Sequence, residues 1–279
     1  MSFKKGLFYI FLSILLISGT CFSAFFLYRY YQHQRLKQPQ YLVNMIIQKP
    51  LSKAKLPVGV LCKMLGLEPH KTHYDYVDCQ KLSEKLLEVP GMEYAEVMKR
   101  SPNKIIVKYF FKEPVALLID YENTCVDSKG YIFPNYFNFD LPKIHSQEKE
   151  DFLWGEKIDG KMIKTALEIL SALKERLGDS LKILMIDVSK MHRKSYGQRE
   201  IVIHFEDSLK NQFVFPMYVR LSCQNIYEQL GNFLALYDKM QKDYLKQVEN
   251  FPKTSQKTYF QTKVIDLRIA KQGLIQSVF

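Results

Sequence analysis

The run HKTHYDYVDC gathers His70, His73, Asp75, Asp78 and Cys79 within ten residues, and imidazole, carboxylate and thiolate are the groups that zinc takes. Structural zinc sites draw on two paired ligand clusters and this chain shows one, so the run reads as a polar loop and no metal is expected. Carboxylate pairs offer no acid and base: Glu148 with Glu150, and Glu206 with Asp207, stand near lysines in turn-like contexts and read as solvated surface. The histidines, His33, His70, His73, His145, His192 and His204, are scattered with no nucleophile motif beside them. No G-x-S-x-G occurs, and twelve glycines in the whole chain leave little for a phosphate-cradling loop. A protein that is not an enzyme and holds no cofactor is expected.

The stretch that offers a different chemistry, that of main-chain contact, is VIDLRIAKQG, Val264 to Gly273. Ile265, Leu267 and Ile269 alternate with Asp266 and Arg268, the period of a half-buried strand. It is expected to close a sheet as its edge strand, with Ile265, Leu267 and Ile269 packed inward. Lys263, Asp266, Arg268 and Lys271 would then face outward, discouraging self-pairing and leaving backbone groups free for an added strand. The candidate partner-binding residues are Lys263, Val264, Asp266, Arg268, Ile269, Gly273 and Leu274. If the charges face solvent, Asp266→Lys with Arg268→Glu leaves thermal unfolding nearly unchanged.

The chain that must position this strand begins with LFYIFLSILLISGTCFSAFFLY, Leu7 to Tyr28, 22 residues without a charge. As a helix it spans about 33 Å, one bilayer core. A signal peptide has a shorter apolar run, and here Phe25, Phe26 and Leu27 continue past the small residues near Cys21 and Ser23, so an uncleaved anchor is expected. Lys4 and Lys5 precede it while Arg29, Arg35 and Lys37 follow. Flanking charge alone favours the opposite orientation, but long domains translocate largely regardless of charge, which places the residues after Tyr28 outside the cytoplasm.

The net charge of +11 is spread along the chain and points to anionic neighbours such as lipid headgroups rather than to a nucleic-acid groove. Its densest basic stretch, KMHRKSYGQRE from Lys190, reads as a solvated loop, and no nucleic acid is expected as a partner. Cys62, Cys79, Cys125 and Cys223 lie beyond the anchor; four cysteines allow three pairings, and reduced core residues fit equally well.

Five segments follow from composition: a cytoplasmic tail over 1–6, the anchor over 7–28, a juxtamembrane linker over 29–40, a first domain over 41–116 and a second over 117–279. The first domain reads as a strand from Tyr41 to Ile47, a helix started by Pro57 and ended by Gly66, and a helix over Cys79 to Leu87. A hairpin turning at Ser101, Pro102 and Asn103 completes it. That β-α-α-β-β order makes a small α+β unit.

The second domain is expected to be β-rich with two covering helices. One is capped by Asp159 and ended by Gly178, with Ile163, Ala166, Leu167, Leu170, Leu173 and Leu177 on one face. The other carries Ile226, Leu230, Phe233, Leu234, Tyr237 and Met240 on one side. Strands are expected in ALLIDYENTCVDSKGYIFP, with a turn at Ser128, Lys129 and Gly130, and from Ile183, Glu200 and Gln212.

An anchor, a β-α-α-β-β domain and a β-rich domain closing on Asp266-Leu267-Arg268 together resemble the FtsQ/DivIB family of bacterial division proteins. In the places that correspond to the end of that family's POTRA domain stand Val89, Pro90, Met92, Ala95, Val97, Arg100, Pro102, Ile105, Val107, Pro114, Val115 and Ala116. Val126, Asp127, Gly130, Ile132 and Phe133 match a following hairpin, and Ile265, Asp266, Leu267 and Arg268 a last strand. Phe111 and Ile269 depart from the family's usual glutamate and aromatic, and the FEDSLKN turn lacks its glycine. The resemblance implies a POTRA-like first domain and a non-enzymatic scaffold of the division machinery. It would sit in the cytoplasmic membrane at the division site and hold bitopic FtsB- and FtsL-type partners on the outer side. Other readings are a POTRA-containing binding or chaperone module of another envelope assembly or secretion system, and an anchored envelope hydrolase.

Overall fold

With no proline or helix-ending glycine motif to stop it, the apolar N-terminal run folds as one helix, α1 (Phe3–Leu36), long and apolar enough to cross a membrane. The computed structural model describes residues 3–36, 38–137, 139–147, 151–178, 181–209, 212–249, 257–269 and 273–277. The helix does not end at the expected linker. Arg, Gln and Leu from Arg29 onward are good helix formers, so α1 continues to Leu36, and Pro39 begins a short 3-10 turn, Pro39–Tyr41. That turn also takes Tyr41, so the first strand starts later than the sequence alone places it.

The chain divides into two compact units, Met1–Leu51 with Leu56–Phe111, and Ser52–Lys55 with Lys112–Phe279. Beyond α1, the first unit holds β1 (Met45–Pro50), α2 (Val58–Leu65), α3 (Cys79–Leu87), β2 (Met92–Arg100) and β3 (Lys104–Phe111). The sheet order is β1-β3-β2, with β3 central, parallel to β1 and antiparallel to β2. Gly66 ends α2 in the left-handed region at φ 68°, and the Leu67 amide reaches back to the Cys62 carbonyl. Asp78 caps α3 by accepting from the Gln80 and Lys81 amides at 3.1 and 3.2 Å. Leu61, Leu65 and Leu86 from the helices and Ile105, Val107, Tyr109 and Phe111 from β3 are buried. The buried Tyr109 hydroxyl accepts from the Leu56 amide and donates to Gln48 Oε1, each at 2.9 Å.

The second unit is sheet-rich. Its elements are β4 (Pro114–Leu118), β5 (Thr124–Asp127), β6 (Ile132–Pro134), β7 (Lys143–His145), α4 (Lys161–Leu177), β8 (Lys182–Asp187), β9 (Ile201–Leu209) and β10 (Phe213–Leu221). They are followed by α5 (Ile226–Glu249), β11 (Thr258–Tyr259), β12 (Lys263–Asp266) and β13 (Leu274–Ser277). Among the described residues the sheet runs β13-β12-β10-β9-β8-β7-β4-β5-β6, with β11 added in parallel beside β10. Alternation along β9 and β10 sends Ile201, Ile203, Phe205, Phe215, Met217, Val219 and Leu221 into the core. Phe233, Tyr237, Met240 and Tyr244 of α5 and Ile163, Ala166, Leu170 and Leu173 of α4 join the same apolar cluster.

The turn between β5 and β6 shows why a D-x-x-G pattern sits there. Asp127 Oδ1 accepts from the Lys129 and Tyr131 amides at 2.9 and 2.8 Å, and Gly130 adopts φ 89°. The expected cap of α4 differs. Gly160 takes the N-cap position, and Asp159 instead receives the Lys164 ammonium at 2.8 Å. The three-residue β7 was not expected at all. It lies between β4 and β8, parallel to both. A clasp closes over its end: Asp120 Oδ1 meets His145 Nδ1 at 2.7 Å, and Asp120 Oδ2 accepts from the Ser146 amide at 2.6 Å.

Candidate partner-binding edge

The expected edge strand is not the edge. β12 pairs in parallel with β10 on one side, Tyr218 opposite Val264 and Arg220 opposite Asp266, and antiparallel with β13 on the other. The outermost strand is therefore β13, whose four residues are all exposed, Leu274 at 64% and Ile275 at 43%. A strand of LIQS so near the end of the sequence gives few residues for a period to declare itself, although the apolar Leu274-Ile275 pair after Gly273 is a weak signal for it.

The inward face is two residues long, not three. Ile265 and Leu267 are buried at 0% and 5%, whereas Ile269 is 64% exposed. β12 ends at Asp266 because that carboxylate accepts from the Arg268 backbone amide at 3.1 Å, turning the chain out of the sheet before Ile269.

Asp266 and Arg268 do not face open solvent either. Arg268 grips Asp266 with Nε to Oδ1 at 2.9 Å and Nη2 to Oδ2 at 2.7 Å, a two-point guanidinium–carboxylate pair. Arg220 stands 3.4 Å from the same carboxylate, and its Nε donates at 2.8 Å to Glu200. Glu200, whose side chain is only 7% exposed, also receives the Lys190 ammonium at 2.9 Å and lies 3.4 Å from Arg268 Nη1. Burial alone would raise both carboxyls. The hydrogen bonds and charges of Lys190 and Arg220 bring Glu200 below the usual carboxylate range, and those of Arg268 and Arg220 do the same for Asp266. KMHRKSYGQRE thus contributes Lys190 and Glu200 to a built network rather than forming a solvated loop throughout.

The remaining candidates spread along the edge. Lys263 is half-buried with its ammonium 4.5 Å from the centre of the Tyr244 ring, and burial lowers its pKa. Val264 is half-buried between Tyr218 and Gln276. Gly273 opens β13 tightly: a Cβ there would meet Leu267 Cδ2 at 3.3 Å and Leu236 Cδ2 at 3.8 Å. Lys271 lies outside the described residues. Leu267, Arg268, Ile269 and Gly273 line a groove of about 560 Å³ together with residues of the 222–236 segment, among them Gln224, Asn225, Glu228, Asn232 and Leu236. The structure therefore brings Arg268, Ile269 and Gly273 to one groove, sets Leu274 directly after it, and keeps Lys263 and Val264 apart in the sheet.

Two other expected roles change. Asp207 is not solvated surface: it is 1% exposed, accepts the Tyr237 hydroxyl at 2.9 Å, and burial raises its pKa. Even alternation along β9 carries it to the covered face, which its acidic neighbour Glu206 obscures in the sequence. In HKTHYDYVDC, His73 is 6% exposed and serves the backbone; its Nδ1 accepts from the Asp75 amide at 3.2 Å. Among the described residues no three His, Cys, Asp or Glu side chains converge as metal ligands. Cys62, Cys79, Cys125 and Cys223 are free thiols. No family model matches the chain, and no curated protein matches it.

Proposed function

We propose that this chain is a non-enzymatic, single-pass scaffold of the bacterial division machinery, one that holds bitopic FtsB- or FtsL-type partners outside the cytoplasmic membrane. The observation that carries the proposal is the outer edge of β13, an exposed strand at the side of a broad sheet with no strand beyond it among the described residues. An extended segment of a partner gains main-chain hydrogen bonds by adding to such an edge, while Leu274 and Ile275 supply apolar contact and the adjoining groove offers largely polar side chains. The partner-binding residues are then Leu274, Gly273, Ile269 and Arg268, with Asp266, Val264 and Lys263 supporting the strand from behind. The β-α-α-β-β order of the first unit supports a POTRA-like assignment, and the apolar α1 supports a membrane anchor.

A second reading, a POTRA-containing module that pairs with extended segments of other envelope proteins, is favoured by β1, which is also outermost in its sheet. Affinity capture of the tagged chain from membranes separates the two. Leu274→Glu changes a side chain that is 64% exposed, so its effect on thermal unfolding should stay within about 0.5 kcal/mol. Bitopic division proteins should copurify with the wild-type chain and be depleted by Leu274→Glu and by removal of residues 274–279. Undiminished capture by both folded variants would move the interface away from β13.

A further inference from the structure

We infer that the first unit is seated on the bilayer surface, with Tyr76 and its loop lying in the phospholipid headgroup layer; this rests on the reading of α1 as a membrane span. The sequence leads one to expect a loose linker after Tyr28, on which the folded unit could swing. Instead α1 passes without a break from the apolar run to Leu36, and its end is fastened to the unit it carries. Arg35 is the fastening point. Its guanidinium meets Asp75 at 3.2 Å and lies 4.5 Å from the centre of the Tyr41 ring. Its carbonyl, which accepts from the Gln38 amide at 3.1 Å as the helix ends, also lies 3.4 Å from His73 Nε2. Because His73 Nδ1 accepts from the Asp75 amide, the neutral ring carries its proton on Nε2 and donates it to that carbonyl.

These contacts fix the height of the 70–76 loop. Arg29 is the first charge after the apolar run, so the hydrocarbon ends near Tyr28. Seven residues further along the helix, Arg35 Cα stands about 10 Å above that level. Helical side chains lean toward the N-terminus, which here means toward the membrane, so the guanidinium and the Asp75 it holds lie lower still. The headgroup layer is roughly 5–8 Å deep on each side of a bilayer. Tyr76, next to Asp75, is therefore at headgroup level, and it is 71% exposed, with its ring edge-on to His73 at 5.6 Å.

The chemistry at this height matches that layer. Tyr28, Tyr30 and Tyr31 of α1 are exposed at 62%, 60% and 68%, aromatic rings of the kind that anchor at a membrane interface. Tyr76 extends that belt from the helix onto the folded unit. Arg29 next to the belt adds a cation suited to lipid phosphates, while the exposed Lys71 within the loop is paired with Glu68 at 2.8 Å.

The chain's single tryptophan, Trp154, lies in the second unit and makes a direct test available. The full chain carrying Tyr76→Trp with Trp154→Phe has its only indole in the loop. In lipid nanodiscs containing headgroup spin-labelled phospholipid, its fluorescence should be quenched at least about twofold relative to the same protein in discs without the label. Matching thermal unfolding of this variant and the wild-type chain checks the fold. If the chain inserts into discs and resists alkaline extraction, yet the label leaves the fluorescence of the indole at 76 unchanged, the seating is wrong and the span stands. If alkali releases the chain, α1 does not span and the seating falls with it.

Discussion

Replacing Glu200 by glutamine tests whether the charge network behind β12 holds the second unit together. The substitution keeps shape and one acceptor oxygen but leaves Lys190, Arg220 and Arg268 converging on a neutral amide. Hydrogen bonds between charged groups contribute about 1.5–3 kcal/mol net when well shielded. Glu200 is shielded, at 7% side-chain exposure, but its partners are 25–48% exposed, so solvent screening keeps the total near the lower end. A loss of about 2 kcal/mol is expected, which for a unit of this size lowers the melting temperature by about 4–8 °C.

The assay is calorimetric unfolding of the full chain in nanodiscs, with the exposed Lys194→Gln as a control expected to change stability by less than about 0.5 kcal/mol. Both carboxyls titrate below their usual range in the folded state, so the stability they contribute is present above about pH 4 and is lost as pH falls through the depressed native values. The gap between wild type and Glu200→Gln should therefore close in acid, and it should narrow in 1 M salt. A melting temperature for Glu200→Gln within about 1 °C of wild type at neutral pH would refute the network's role. The same geometry reverses the expectation for Asp266→Lys with Arg268→Glu. A glutamate at 268 would confront Glu200 and a lysine at 266 would confront Arg220, so the exchange should destabilise.

Asp207→Asn should stabilise the chain, because asparagine still accepts the Tyr237 hydroxyl and no charge is buried. Burial raises the native Asp207 pKa, so wild-type stability declines as pH rises through that value; the variant's gain should be larger at pH 8 than at pH 4, and an equal gain at both would count against a buried carboxylate. Tyr237→Phe removes the hydroxyl that donates to that carboxylate and should cost about 1–3 kcal/mol at neutral pH, read by denaturant unfolding. Cys125 is fully buried with its thiol pushed up to about 12, so iodoacetamide at pH 8 should modify it only after denaturation; native labelling at a rate like that of a free thiol would contradict its placement.

Much of the architecture could be read from local signals. Gly66 and the Ser101-Pro102-Asn103 turn are short-range devices, and each sits where its chemistry places it. The apolar stripes of α4 and α5 are likewise set by a 3.6-residue period and turn toward the core. What failed depended on distant partners. The alternation of VIDLRIA marks a strand, but whether another strand lies outside it is decided by residues 274–277, too few to show a period. Asp266 and Arg268 look exposed in sequence because Glu200 and Arg220, which enclose them, are remote along the chain. β7 was invisible for the same reason: three residues become a strand only when β4 and β8 flank them. Arg29 to Leu36 looked like a tether because polar residues near a membrane read as loop, while their helix propensity and the docking of Arg35 onto Asp75 and Tyr41 carry α1 onward.

β7 also sets where the second unit can come apart without unfolding altogether. The β4–β6 side of the sheet is joined to the β8–β13 side through this one three-residue strand, held by short parallel ladders and by the Asp120 clasp on His145 and Ser146. A narrow parallel junction between two broader blocks, one antiparallel and one mixed, is the natural boundary between cooperative folding units. Native-state hydrogen exchange should therefore release the Ile119 and Val188 amides, which bond the β7 segment from either side, well before those of Phe205 and Met217 inside the β9–β10 ladder. A pull on one block of the sheet would then be relieved at β7, leaving the β13 edge on a piece of structure that stays folded.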